Sequence, residues 1–156
     1  MSALHAQREA CMREALHLAA QAFAEGEAPV GAVVARGSDI LGRGRNQREN
    51  KNDPTAHAEL LAIRQAAQAL GGWRLTGCTL YVTLEPCPMC AGAIVLARLD
   101  AVWYGAADSR AGCCGSVYRI TEDPAFTHTV PAFGGLLAAE GAALLAEFFQ
   151  KKRGQG

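Results

Sequence analysis

A chain of 156 residues, 50% hydrophobic and 19% charged, is long enough for one domain with its own core and too apolar for a disordered protein. Fifteen basic residues balance fifteen acidic ones, which excludes a broad basic field for coating nucleic acid and leaves room for a local basic patch. No apolar run approaches the roughly 18 residues of a membrane span, and residues 1–13 carry charge where a signal peptide has an apolar core, which predicts a cytoplasmic protein with no membrane partner.

Residues 4–24 read as the first helix, with Cys11, Ala15, Leu18 and Ala22 on its apolar face. Residues 30–35 are short, apolar and β-branched, so they predict a buried strand. The turn Arg36-Gly37-Ser38-Asp39 joins it to a second strand over 40–45, making a hairpin. A polar loop fills 46–53. Asp53-Pro54 has the chemistry of a helix start, an Asp to cap free amides and a Pro for the first turn. Leu60, Ile63, Ala67 and Leu70 mark one face of that helix, and Gly71-Gly72 stops it. A strand over 78–84 ends at Pro86. Pro88 opens a helix to about residue 99, and residues 101–105 form another strand. A Gly-rich polar loop covers 108–115. A weak strand falls within 127–133, where Pro131 confines it to a sheet edge. The last helix, 138–151, runs into a basic tail. Strands alternating with helices predict an α/β sheet covered on both faces, and nothing divides residues 1–156 into more than one domain.

The chemistry concentrates in two places. His57-Ala58-Glu59 lies early in the second predicted helix, and Pro86-Cys87-Pro88-Met89-Cys90 at a strand-to-helix junction. Cys87 and Cys90, three apart on a helical turn, face the same way. Two thiolates and an imidazole are a three-ligand zinc set, and three protein ligands leave the fourth position for water. Zn²⁺ with two thiolates and a neutral His carries no net charge, and the helix N-termini favour the hydroxide form. Glu59 is the proton carrier in this reading. A C-x-x-C alone is equally compatible with a structural or redox-active pair, and a structural zinc would need a fourth ligand such as Cys78, Cys113 or Cys114. Residues two apart on an ideal helix also point roughly 200° apart. His57 and Glu59 therefore share a site only at the helix tip.

H-x-E followed by P-C-x-x-C is the signature of the zinc-dependent base deaminases. The chain further resembles the bacterial tRNA-specific adenosine deaminases in residues 29–33 (P-V-G-A-V), 53–59 (D-P-T-A-H-A-E) and 81–87 (Y-V-T-L-E-P-C). Gly105-Ala106, Asp108, Gly112, Gly115 and Ser116, and later Leu144-Leu145 and Phe148-Phe149, fit the same pattern. The resemblance runs almost end to end. It implies a three-layer α/β/α fold on a five-stranded mixed sheet, a homodimer, and hydrolysis of adenosine to inosine at the wobble position of a tRNA anticodon stem-loop.

The resemblance also assigns residues. His57, Cys87 and Cys90 hold one Zn²⁺ per subunit, and Glu59 carries protons to the ring nitrogen beside C6 and to the departing ammonia. The Ala58 amide supports the reacting centre. Asn46 holds the flipped nucleoside, Asp108 meets a neighbouring nucleotide, and Pro29 and Leu84 wall the pocket. Phe149 with Lys151, Lys152 and Arg153 suggests an aromatic and basic grip on RNA. The adjacent thiols Cys113-Cys114 depart from the family's small loop residues and predict a loop sensitive to oxidation. Pro131 in the edge strand is a second departure. Cys11 and Cys78 read as buried, and Trp73 and Trp103 as core or dimer-contact residues. Two other functions compete. A free-base or nucleoside deaminase would close its pocket under a C-terminal lid. An RNA-binding module would complete a structural zinc site with four ligands.

Overall fold

The computed structural model describes residues 2–155. Helix α1 (Ala3–Ala24) is capped by Ser2, whose hydroxyl accepts from the His5 amide at 3.1 Å. Strands β1 (Gly31–Arg36) and β2 (Asp39–Arg45) form the expected hairpin. They are followed by α2 (Ala58–Leu70), β3 (Thr79–Leu84), α3 (Pro88–Leu96), β4 (Ala101–Ala106), β5 (Ala132–Phe133) and α4 (Ala138–Gln155). The sheet order is β2-β1-β3-β4-β5. The β2–β1 and β1–β3 pairs are antiparallel, and β3–β4 and β4–β5 are parallel. This is the expected five-stranded mixed sheet between two helical layers.

Period-two alternation sorts the core. Ala32, Val34, Leu80 and Val82 face one way and pack with Ala58, Ala62 and Ala66 of α2 and Ile94 of α3. Val33, Ala35 and Tyr81 face the other way, onto Cys11, Met12, Ala15 and Leu18 of α1. Both faces are covered, which is why β1 reads as an unbroken apolar run and not as an alternating one.

Two expectations need correction. Helix α2 does not begin at Asp53-Pro54. Asp53 Oδ1 accepts from the Thr55 amide at 2.8 Å and the Thr55 hydroxyl at 2.7 Å, so the Asp side chain closes a local turn, and the helix starts at Ala58. The buried stripe of α2 is Ala58, Ala62 and Ala66, beside the expected Leu60, Ile63, Ala67 and Leu70 face. Gly42 and Gly44 of β2 explain the shift. A Cβ on Gly42 would lie 2.8 Å from the Ala66 nitrogen, and one on Gly44 2.7 Å from the Ala62 nitrogen. Helix and strand touch backbone to backbone, and only alanine fits on the contact line. Of the two tryptophans expected in the core or at a dimer contact, Trp73 is 55% exposed, which leaves the dimer contact, and Trp103 is half-buried with its ring stacked on Phe133 at 4.7 Å.

The ends of elements shift by small amounts elsewhere. Helix α3 stops at Leu96, short of the predicted residue 99, and α4 runs on to Gln155. Only Ala132 and Phe133 of the weak strand pair with β4, directly after Pro131, whose carbonyl accepts from the Val102 amide. Among the described residues no helix is long and apolar enough to cross a membrane.

Candidate active site

The topology collects the site at one end of the sheet. Strands β3 and β4 run parallel, so their C-termini, at Leu84 and Ala106, lie side by side. Strand β1 runs against β3, which brings its N-terminal end to the same edge. Gly31 of β1 pairs with Arg45 of β2, so Asn46 emerges there too. Sites in α/β sheets sit outside the carboxyl ends of parallel strands, and here the antiparallel hairpin adds a further wall.

Two helix N-termini converge on that edge. His57 is the N-cap of α2 and Cys87 the N-cap of α3; both backbones are extended, at φ −79°, ψ 150° and φ −75°, ψ 175°. Neither side chain caps its own helix, so both are available to the site. Cys90 follows in the first turn of α3, opened by Pro88 at the position where proline fits. The Cys87 and Cys90 sulfurs each stand 3.6 Å from His57 Nδ1. All three donor atoms lie within 4.8 Å of one another, and among the described residues they are the only cluster of three such donors that could hold a metal ion. Cys78, Cys113 and Cys114 take no part, so no fourth cysteine completes a closed structural site.

The N-cap position of His57 also resolves the angular difficulty between His57 and Glu59. His57 is outside the helix and Glu59 is its second residue, so the two side chains need not diverge by helical rotation. Glu59 is buried, and burial pushes its carboxyl above the ordinary range despite its own backbone amide and the nearby His57. The Cys90 thiol lies in hydrogen-bond contact with it. Without metal the two paired thiols are pushed apart, Cys87 down and Cys90 up. The Cys90 S–H and the His57 ring hold Cys87 down to about 4, while the same pairing and burial push Cys90 up. The Cys87 hydrogen bond also raises the His57 imidazole. The helix N-termini favour the negative charge gathered here.

Above the donors lies a cavity of about 260 Å³. This is just below the roughly 300–1,000 Å³ range of drug-sized ligand pockets, a size suited to one planar base. His57, Ala58, Glu59 and Cys87 line its floor, and Val30, Asn46, Leu84, Asp108 and Phe148 its walls. Asn46 is buried; its Oδ1 accepts from the Arg48 amide at 3.1 Å and its Nδ2 donates to the Ala28 carbonyl at 3.4 Å. Asp108 Oδ1 accepts from the Arg110 and Ala111 amides at 3.0 and 3.3 Å. Both residues thus shape their own turns while lining the cavity. Pro29 is buried behind the wall, and its neighbours Ala28 and Val30 line the cavity instead.

The cavity opens into a wider groove of about 740 Å³, which shares the Leu84, Asp108, Phe149 and Lys152 walls and carries Arg110 and Arg153. Lys151 turns away, its ammonium 5.1 Å from the Phe23 ring. Phe148 makes an edge-on contact with Phe23 of α1 at 5.8 Å, which holds the C-terminal helix beside the pocket.

Sequence reasoning missed Glu27 and Glu85. Glu27 accepts from the Glu49 and Asn50 amides at 3.0 and 2.8 Å. Glu85 accepts four hydrogen bonds from the loop after β4. Each is a carboxylate beside an apolar strand, a signal that could have been read as an expected internal partner. Cys113 and Cys114 are buried, and burial raises both thiols, Cys114 to about 12. That removes the expected sensitivity of this loop to oxidation.

A buried carboxyl against a three-donor metal cluster at the C-terminal edge of this sheet defines a hydrolytic deaminase of the cytidine deaminase-like fold. The MafB19-like deaminase family matches residues 6–152. The tRNA-specific adenosine deaminase of Bacillus subtilis (strain 168) is 45% identical over 147 residues, 94% of this chain and 91% of that protein. A solved structure from a study of A-to-I editing by tRNA:A34 deaminases at the wobble position of transfer RNA superposes with a TM-score of 0.84 at 42% identity, covering 87% of this chain and 99% of that one. Guanine deaminase from Bacillus subtilis superposes less closely, with a TM-score of 0.63 at 36% identity over 94% of this chain and 93% of that one. The chain belongs to the tRNA-specific adenosine deaminases, a branch of the deaminase family.

Proposed function

We propose that this enzyme hydrolyses adenosine to inosine at the wobble position of a tRNA anticodon stem-loop, with zinc held by His57, Cys87 and Cys90. The donor spacing supports zinc. Tetrahedral bonds of about 2.3 Å to sulfur and 2.1 Å to nitrogen put the two ligand atoms about 3.6 Å apart. Both S···N separations here are 3.6 Å. When bound, zinc supplies a Lewis acid that makes a water nucleophilic near neutral pH.

The chain's own residues do the rest. Burial raises the proton affinity of Glu59, and as the carboxylate it accepts a proton from the attacking water and delivers it to the ring nitrogen beside C6. It then takes the second proton from the new C6 hydroxyl and passes it to the amine, so that the C6–N bond breaks, the carbonyl of inosine forms and ammonia departs. The Ala58 amide, in the first turn of α2, supports the charge that develops at the reacting centre. Asn46 orients the nucleoside, Leu84 and Val30 enclose the base, and Asp108 meets a neighbouring nucleotide at the rim. Pro29 supports Val30 from behind. Phe149, Lys152 and Arg153 take the RNA that leads away from the flipped base.

The observation that carries a polymer substrate is the continuity of the base cavity with the groove bearing Arg110, Lys152 and Arg153. A free-base enzyme gains nothing from a basic channel leading out of its pocket. Trp73 and Leu96, 55% and 69% exposed, offer apolar surface to a second copy in a homodimer. The cytoplasm, where tRNA is processed, is the expected location.

The test is a deamination assay on zinc-loaded protein with a wobble-adenosine stem-loop RNA beside free adenosine, cytidine and guanine. Inosine forms only in the RNA, and Glu59→Gln lowers kcat by at least about 100-fold with zinc retained. Turnover of free guanine without reaction on the RNA overturns the substrate and keeps the metal centre.

A further inference from the structure

Glu85 is the first residue after β3 and is 2% exposed. It carries a carboxylate to the end of β3, at the edge of the base cavity. The loop after β4 folds around it. Its Oε1 accepts from the Asp108 amide at 3.0 Å and from the Ser116 hydroxyl. Its Oε2 accepts from the Cys114 and Ser116 amides, both at 3.0 Å. Four donors on two oxygens satisfy the carboxylate.

Gly112 belongs to the same arrangement. A Cβ there would lie 2.5 Å from Glu85 Oε1 and from the Asp108 carbonyl, so no larger residue lets the loop close over the carboxylate. The Cys113 amide donates to the Pro86 carbonyl at 2.8 Å, fastening the loop beside the metal-bearing turn. Burial alone would raise the Glu85 carboxyl, but the hydrogen bonds outweigh it and hold it below the ordinary range.

We infer that Glu85 is a positioning residue for the substrate. It clamps the 108–116 loop from beneath, and through its bond to the Asp108 amide it fixes Asp108 and Ala111 at the wall of the base cavity. It acts on substrate binding and leaves the metal donors in place. The inference rests on the proposed reading of Asp108 as a substrate contact.

Glu85→Gln breaks the clamp while keeping its shape. The amide group offers one acceptor oxygen and turns N–H donors toward backbone N–H donors. Either the Asp108 amide or the Cys114 and Ser116 amides lose their acceptor. The full-length zinc-loaded variant should show a KM for the stem-loop RNA at least about tenfold above the parent's, with kcat within about threefold and zinc content unchanged. Hydrogen exchange at the Asp108, Cys114 and Ser116 amides should accelerate in the absence of any substrate. Ser116→Ala, which removes one donor and strands no charge, should raise KM by a smaller factor, and it decides the matter if Glu85→Gln does not fold. A merely structural carboxylate would lower melting temperature and active fraction without moving KM. A KM within threefold of the parent's in the folded variants overturns the inference, whatever happens to stability. If the parent is silent on the RNA, the functional reading fails separately, and unchanged exchange at the three amides then overturns the clamp.

Discussion

The four cysteines outside the metal cluster behave as small apolar residues. Cys11, Cys78, Cys113 and Cys114 are buried, and burial raises each thiol above its usual range. Cys87 differs, since without metal its partners hold it down. Thiol labelling at pH 8 should therefore leave those four silent in the folded protein. Chelation should expose one fast-reacting thiol at Cys87, and only unfolding should release the rest. Fast labelling of Cys113 or Cys114 in the folded, metal-loaded protein would restore the oxidation-sensitive loop. At this scale the sequence was most legible. The clustering of His57, Cys87 and Cys90 was legible because metal ligation demands particular atoms at particular spacings. Glu85 was not found, because its role lies in accepting backbone amides from a loop distant in sequence. Pro29 was assigned to the wall because a motif gives a stretch of chain, not which of its side chains turns inward.

Helix α2 is where element-level packing controls the chemistry. Its N-terminal turn presents His57 and Glu59, and its position is set by Gly42 and Gly44 beneath Ala58, Ala62 and Ala66. Gly44→Ala should push the helix off the sheet and cost about 1–3 kcal/mol, read as a lower melting temperature at roughly 2–4 °C per kcal/mol. Zinc should also bind more weakly, because the displaced turn carries a ligand. Unchanged melting and zinc affinity would show that the helix position does not depend on this contact. At the other end of the chain, α4 extends four residues beyond its expected end, so Lys152 and Arg153 stand on an ordered helix. Replacing both with Ala should weaken stem-loop binding and flatten the log-affinity against log-salt slope by about 1.4, near 0.7 per lost contact on single-stranded RNA. An unchanged slope would remove these two side chains from the RNA interface.

Across the whole molecule, the proposed metal links folding to function. Its donors come from two helices whose N-termini meet only once the sheet has formed, so metal affinity adds to the stability of the folded chain. Removing zinc with a chelator should abolish deamination and lower the melting temperature, and adding zinc back should restore both. Full activity in the chelated protein would refute the proposed role of the metal.

The sequence by itself determined the His57, Cys87 and Cys90 cluster, the family and nearly all the elements. Each of these is written in local periodicity, in residue chemistry or in short motifs. Only the tertiary structure decided how Asn46, Leu84 and Asp108, on three separate segments, reach one cavity. Mixed strand directions bring those chain segments to a single sheet edge. It alone also decided that α2 begins at Ala58, that its alanine stripe faces the sheet, and that one buried carboxylate gathers the 108–116 loop. Those outcomes depend on close approach between residues far apart in the chain, which no local pattern encodes.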